Sequence, residues 1–126
     1  MRAIADTSLF LERAPAPPLE SVPDEIAVSV VTAAELEVRI LRAHDAQLRA
    51  QLLAMLSRLR GAFPLLALDE QTASHFAGIA DAELRAGRRV RTHEAWIAAT
   101  ALQHGAAVLT RNPAFSEFDA VKVVRV

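Results

Sequence analysis

The sequence predicts an α/β domain, a parallel sheet covered by helices on both faces. Two patterns point there. Short apolar runs that read as buried strands alternate with helix-period segments along the whole chain. That order calls for right-handed crossovers and hence a parallel sheet. Hydrophobic content is 52%, much of it alanine, which favours helices packed closely on a sheet. A chain of 126 residues fits one domain and can bury a real core.

Residues 2–5 form the first apolar run, ending in Asp6. Thr7 or Ser8 can cap a helix over about residues 8–13, which Ala14-Pro15-Ala16-Pro17-Pro18 stops. Ile26-Ala27-Val28-Ser29-Val30 is β-branched and apolar, a second strand. Thr32 opens a helix reaching about His44. Residues 46–60 continue helically, with Leu48, Leu52, Met55, Leu56 and Leu59 on one face. Residues 63–68 give a third short strand, with Pro64 near its start. Asp69 or Thr72 begins a helix that ends at Ala86-Gly87. His93 to His104 is helical, with Gly105 as its C′ residue. Residues 106–109 and 121–126 supply strands four and five.

Composition removes several functional classes. No cysteine is present, so a disulfide framework, a Cys-based zinc site and a thiol nucleophile are excluded. This usage fits a reducing, cytoplasmic setting. A formal net charge of -1 gives no global attraction to nucleic acid, so any such binding needs a local basic patch. Asp6 and Glu12 interrupt the apolar run a signal peptide would require. No stretch approaches 18 uncharged apolar residues, so no membrane span is expected.

Four polar signals sit where strands or helices begin or end. They are Asp6-Thr7-Ser8, Thr32 to Leu36 with Glu35, His93 to Ala101 with Glu94, and Leu109-Thr110-Arg111-Asn112. In an open parallel sheet, sites form at the carboxyl ends of strands, where strand order switches. Asp6 follows strand one and Asn112 follows strand four, while Glu35 and Glu94 lie in first turns of helices. Each acid also has a plainer reading. Asp-Thr-Ser is good capping chemistry. Thr32-x-x-Glu35 is a capping box. Glu94 near a helix start suits the macrodipole. Three acids at one edge share a further explanation, a divalent cation, and hard oxygen donors suit Mg²⁺ or Mn²⁺.

Ala5-Asp6-Thr7-Ser8, Ser29 to Leu36, Gly87 to Arg91 leading into Ala95 to Ala101, and Val108 to Pro113 occur in order across nearly the whole chain. In this ordered set the chain resembles PIN-domain ribonucleases, especially the VapC toxins of bacterial toxin–antitoxin pairs. The resemblance implies a three-layer α/β/α fold with five parallel strands in the order 3-2-1-4-5. It implies Mg²⁺-dependent cleavage of structured RNA (of the tRNA or rRNA class), a homodimer, and a cognate VapB-type antitoxin. Asp6, Glu35 and Glu94 would hold the metal, and Asn112 would be a fourth catalytic group holding a metal-bound water. Thr7, Ser8 and Thr110 would support the carboxylates by hydrogen bonds.

Arg85, Arg88, Arg89 and Arg91 cluster just before the Glu94 helix. They read either as a solvated loop or as a phosphate-binding rim. Arg88, Arg89, Arg91 and Arg111 are the RNA-binding candidates. His93 reads as a surface histidine at a helix start. The family usually has Asp where Glu94 stands, and the longer arm moves the carboxylate by roughly 1.5 Å. Many relatives also carry an Asp soon after the Asn112 turn, where this chain has Pro113-Ala114-Phe115-Ser116. These departures motivate an alternative, a catalytically weakened PIN-like module that binds RNA or protein. A nucleotide-binding or receiver domain is disfavoured, because no Gly-rich loop follows strand one.

Overall fold

The computed structural model describes residues 1–11 and 23–126. Five parallel strands form one sheet in the order β3-β2-β1-β4-β5. They are β1 (Arg2–Ala5), β2 (Glu25–Ser29), β3 (Leu65–Leu66), β4 (Ala107–Thr110) and β5 (Val123–Arg125). The helices are α1 (Ser8–Leu11), α2 (Val30–Arg42), α3 (Ala46–Ala62), α4 (Glu70–Arg85) and α5 (Thr92–Gln103). The end of the helix expected over 8–13, and the Pro/Ala loop over 14–18, lie outside the described residues.

The three-layer arrangement can be read from two adjacent residues of β1. Ile4 packs into a cluster with Ile79 of α4 and Ala95, Ile97, Ala98 and Ala101 of α5. Ala5 packs into a second cluster with Ala33 and Leu36 of α2 and Leu56 and Leu59 of α3. Neighbouring strand residues point to opposite faces, so the sheet lies between the α4–α5 layer and the α2–α3 layer. β1 is central, pairing Ala5 with Val28 on one side and Leu109 on the other. All four residues of β4 are buried, as a strand covered on both faces requires. Small side chains on α5 let that helix lie close to the sheet.

Boundaries moved where capping and pairing decided them. β2 stops at Ser29, one residue early, because the Ser29 hydroxyl accepts from the Val31 N–H and starts α2 there. β3 is only two residues long, paired with Val28 and Ser29 at the sheet's edge, while Phe63 still caps α3. Asp69 rather than Thr72 is the cap of α4, with Thr72 completing a reciprocal capping box. Gly87 and Gly105 both have positive φ, at +75° and +61°, where other residues would be strained. A 3-10 turn over Pro113–Glu117, not expected from the sequence, follows β4. Among the described residues, no helix is long and apolar enough to cross a membrane.

Candidate metal centre

The carboxyl edge of β1 and β4 collects the polar signals. Asp6 continues the β1–β4 ladder, its N–H donating to Leu109 O at 2.9 Å, and its side chain is buried at that edge. Thr110, the last residue of β4, donates from Oγ1 to Asp6 Oδ2 at 2.8 Å. Thr110 Oγ1 also accepts from Asn112 N at 2.9 Å. Ser8 Oγ accepts from Arg111 N at 3.0 Å and lies 3.3 Å from Thr110 Oγ1. Thr110 has one hydroxyl proton, and the carboxylate takes it. Ser8 is therefore the donor to Thr110, and a directed chain runs from Ser8 through Thr110 to Asp6.

Glu35 enters from α2. The capping-box reading does not hold, because Ser29 caps α2 and Glu35 lies a turn further on. Its Oε1 instead accepts from Thr7 Oγ1 at 2.9 Å, and Thr7 Oγ1 is 3.1 Å from Thr32 Oγ1. The carboxylate is thus tied to the segment after β1 rather than to its own helix end. Burial raises the Glu35 pKa above its ordinary value of 4.5. The Thr7 hydrogen bond and the charge of His93 oppose that rise, and the charges of Asp6 and Glu94 add to it. The charges of Asp6 and Glu94 thus both bear on Glu35, after burial, which is the largest cause. His93, read from sequence as a plain surface residue, stands at the rim, with Nδ1 3.9 Å from Glu35 Oε2.

Glu94 lies in the first turn of α5, partly buried. Asn112 acts locally. Its Oδ1 accepts from Ala114 N at 2.9 Å and caps the 3-10 turn. Proline at the next position suits that turn start. The donor chemistry fits a hard divalent cation, since three oxygen-bearing anions repel one another without one. Among the described residues, no three acids or histidines stand as a preassembled cage. Mg²⁺ commonly keeps several waters and takes only one or two carboxylates directly, so it does not need such a cage.

The arginine cluster divides. Arg88 and Arg91, two of the RNA-binding candidates, both pair with Glu83 of α4, through Oε2 and Oε1 respectively, Arg88 staying exposed and Arg91 partly buried. Glu83 is 1% exposed. The reason is helical spacing: Thr72, Phe76, Ile79 and Glu83 share one face, and that face is buried. A carboxylate there must be paired. That spacing, with arginines close behind, was the signal sequence reasoning missed. Burial pushes the Glu83 pKa up, but hydrogen bonds and charge from Arg88 and Arg91 outweigh it and lower the pKa. Arg89 is exposed on the same turn, Arg85 pairs with Asp81 at 2.9 Å, and Arg111 is partly buried beside Ser8.

A parallel sheet ordered 3-2-1-4-5 with acids gathered at its carboxyl edge defines a class, and the comparisons agree with it. The chain belongs to the PIN-domain family, whose model matches residues 4–121. It is 34% identical over 128 residues to Ribonuclease VapC5 of Mycobacterium tuberculosis, spanning 98% of this chain and 94% of that protein. Ribonuclease VapC4 of the same organism is 35% identical over 128 residues, spanning 99% and 97%. Among solved structures, the chain superposes on VapBC-5 of M. tuberculosis, a member of the VapBC family of toxin–antitoxin systems. The TM-score is 0.89 at 34% identity, covering 99% of this chain and 98% of the other. FitAcB of Neisseria gonorrhoeae gives a TM-score of 0.80 at 25% identity, covering 98% and 96%.

Proposed function

We propose that this chain is a divalent-metal-dependent endoribonuclease, the toxin of a toxin–antitoxin pair, held inactive by a VapB-type antitoxin. One observation carries the chemistry. At the carboxyl edge of the sheet the Asp6 carboxylate accepts from Thr110 and the Glu35 carboxylate from Thr7, with Glu94 in the first turn of α5. The names of the relatives supply the substrate class and the antitoxin. Structured RNA, a homodimer and a cytoplasmic setting complete the reading.

Asp6, Glu35 and Glu94 would hold Mg²⁺ or Mn²⁺. When bound, such an ion supplies an activated water and offsets charge on the leaving oxygen. The protein's own part is placement. Thr110, itself held by Ser8, fixes the Asp6 carboxylate, and Thr7 fixes Glu35. These bonds orient the ligands before metal arrives. Asn112 caps the neighbouring turn and so sets the rim of the site. Arg89, exposed on the turn before α5, faces solvent where a phosphate backbone would approach. Arg111 borders Ser8 at the same edge.

The test is cleavage of structured RNA by the purified protein with Mg²⁺, with Mn²⁺, and with EDTA. Cleavage in either metal, lost with EDTA and lost in a folded Asp6→Asn variant, is expected. The alternative, a weakened RNA- or protein-binding module, draws on the lack of a preassembled three-ligand cage among the described residues and on Glu94 in place of Asp. RNA binding without cleavage in either metal would favour it.

A further inference from the structure

We infer that Arg91, gripped by Glu83, is a positioning residue that sets the first turn of α5 and thereby the place of Glu94. This rests on the metal-centre reading above. Arg91 is the N-cap residue of α5, yet among the described residues no side-chain hydrogen bond caps that helix. Its carbonyl accepts the first helical bond, from Ala95 N at 2.8 Å. With no local cap, the start of α5 is held through the Arg91 side chain. That side chain reaches two other elements, α4 and the 3-10 turn with the residue that ends it. One guanidinium nitrogen pairs with Glu83 of α4, and another donates to Ala114 O in the 3-10 turn at 3.0 Å. The guanidinium also lies over the Phe118 ring, 4.7 Å from its centroid.

These contacts join the two loops that flank the metal centre. Glu94 follows Arg91 by three residues, and Asn112 caps the turn that Arg91 holds at Ala114. Arg88 bonds the other Glu83 oxygen and also donates to Glu117 O at 3.4 Å. Both carboxylate oxygens of Glu83 are therefore committed. A buried ion cluster is a poor way to add stability alone, since well-packed apolar residues of similar volume often do as well. What it adds is direction. A planar guanidinium makes bonds along fixed vectors, and a single charge on Lys does not.

The experiment compares wild type, Glu83→Gln and Arg91→Lys. Mn²⁺ affinity is measured by calorimetry without RNA, each protein held well below its own melting temperature, and kcat and KM are measured on structured RNA. Both variants are expected to lose about 10–100-fold in Mn²⁺ affinity, the size typical of groups that orient metal ligands. kcat should fall while KM for RNA stays unchanged. Lower melting temperatures with wild-type Mn²⁺ affinity would make the cluster merely structural and overturn the inference. A raised KM with unchanged kcat would return Arg91 to RNA binding and overturn it equally. If Glu83→Gln fails to fold, Arg91→Lys decides by the same readings, because it keeps Glu83 paired with a cation. A wild type that binds no Mn²⁺ overturns the metal centre as well. A wild type that binds, with variants binding equally, removes only the positioning role.

Discussion

Thr110→Val deletes one hydroxyl from a side chain of nearly the same shape. In the folded protein that hydroxyl is the closest donor to Asp6, at 2.8 Å, and the acceptor for Asn112 N. Asp6 is buried and, among the described residues, keeps only the Ser8 N–H at 3.4 Å. A hydrogen bond to a charged group contributes about 1.5–3 kcal/mol. The Asn112 N–H and the Ser8 hydroxyl are only partly buried and can turn to water, so they add little. The expected loss is therefore about 2–3 kcal/mol in EDTA. Unfolding entropy of about 2.1 cal/mol/K per residue converts this into a melting temperature lower by roughly 8–11 °C for a chain of this length. Mn²⁺ affinity, measured by calorimetry, should fall about 10–100-fold, because the ligand loses the group that orients it. Thr110→Ser keeps the hydroxyl and should retain most of that affinity, at a cost of about 1 kcal/mol for the missing buried methyl. A Thr110→Val protein melting within about 2 °C of wild type, equivalent to about half a kcal/mol, with unchanged Mn²⁺ affinity, would refute the reasoning.

Three further outcomes are expected. Glu35→Gln should abolish RNA cleavage and flatten the pH dependence of stability in EDTA. The Glu35 pKa is raised in the fold, so its stabilising share is full below the ordinary value of 4.5 and is lost as pH rises through the folded value. Melting curves across that window should decline in wild type relative to Glu35→Gln, and parallel curves would count against the shift. Glu94→Asp should keep or raise cleavage, whereas Glu94→Ala should remove most of it in both Mg²⁺ and Mn²⁺. An active Glu94→Ala protein losing no more than about 1 kcal/mol of stability would leave Glu94 only a dipole role. The cognate antitoxin should place an Arg or Lys near Asp6, Glu35 and Glu94, since a cation relieves their repulsion. A complex structure with the antitoxin distant from these acids would contradict this.

The alternation of apolar runs and helix-period segments was legible from the sequence alone. Strand burial and helix periodicity are written in local residue order, and the strand order 3-2-1-4-5 came from the ordered motifs of the family. Asp6 at the end of an apolar run needed only adjacent residues to be noticed. Partners distant in sequence were a different matter. Thr32 and Glu35 have capping-box spacing, but the helix starts at Val30, and the hydrogen bond of Glu35 goes to Thr7, 28 residues away. Asn112, read as a site residue, also caps its own turn. Arg88 and Arg91 looked like a basic rim, yet both are paired with the buried Glu83. Local pattern tells which residues have a polar group to use. Which partner takes it depends on what the folded chain buries beside it, because a buried charge must be paired and an exposed one need not be. In this protein the buried charge is that of Glu83, and its need for partners is what ties down Arg88 and Arg91.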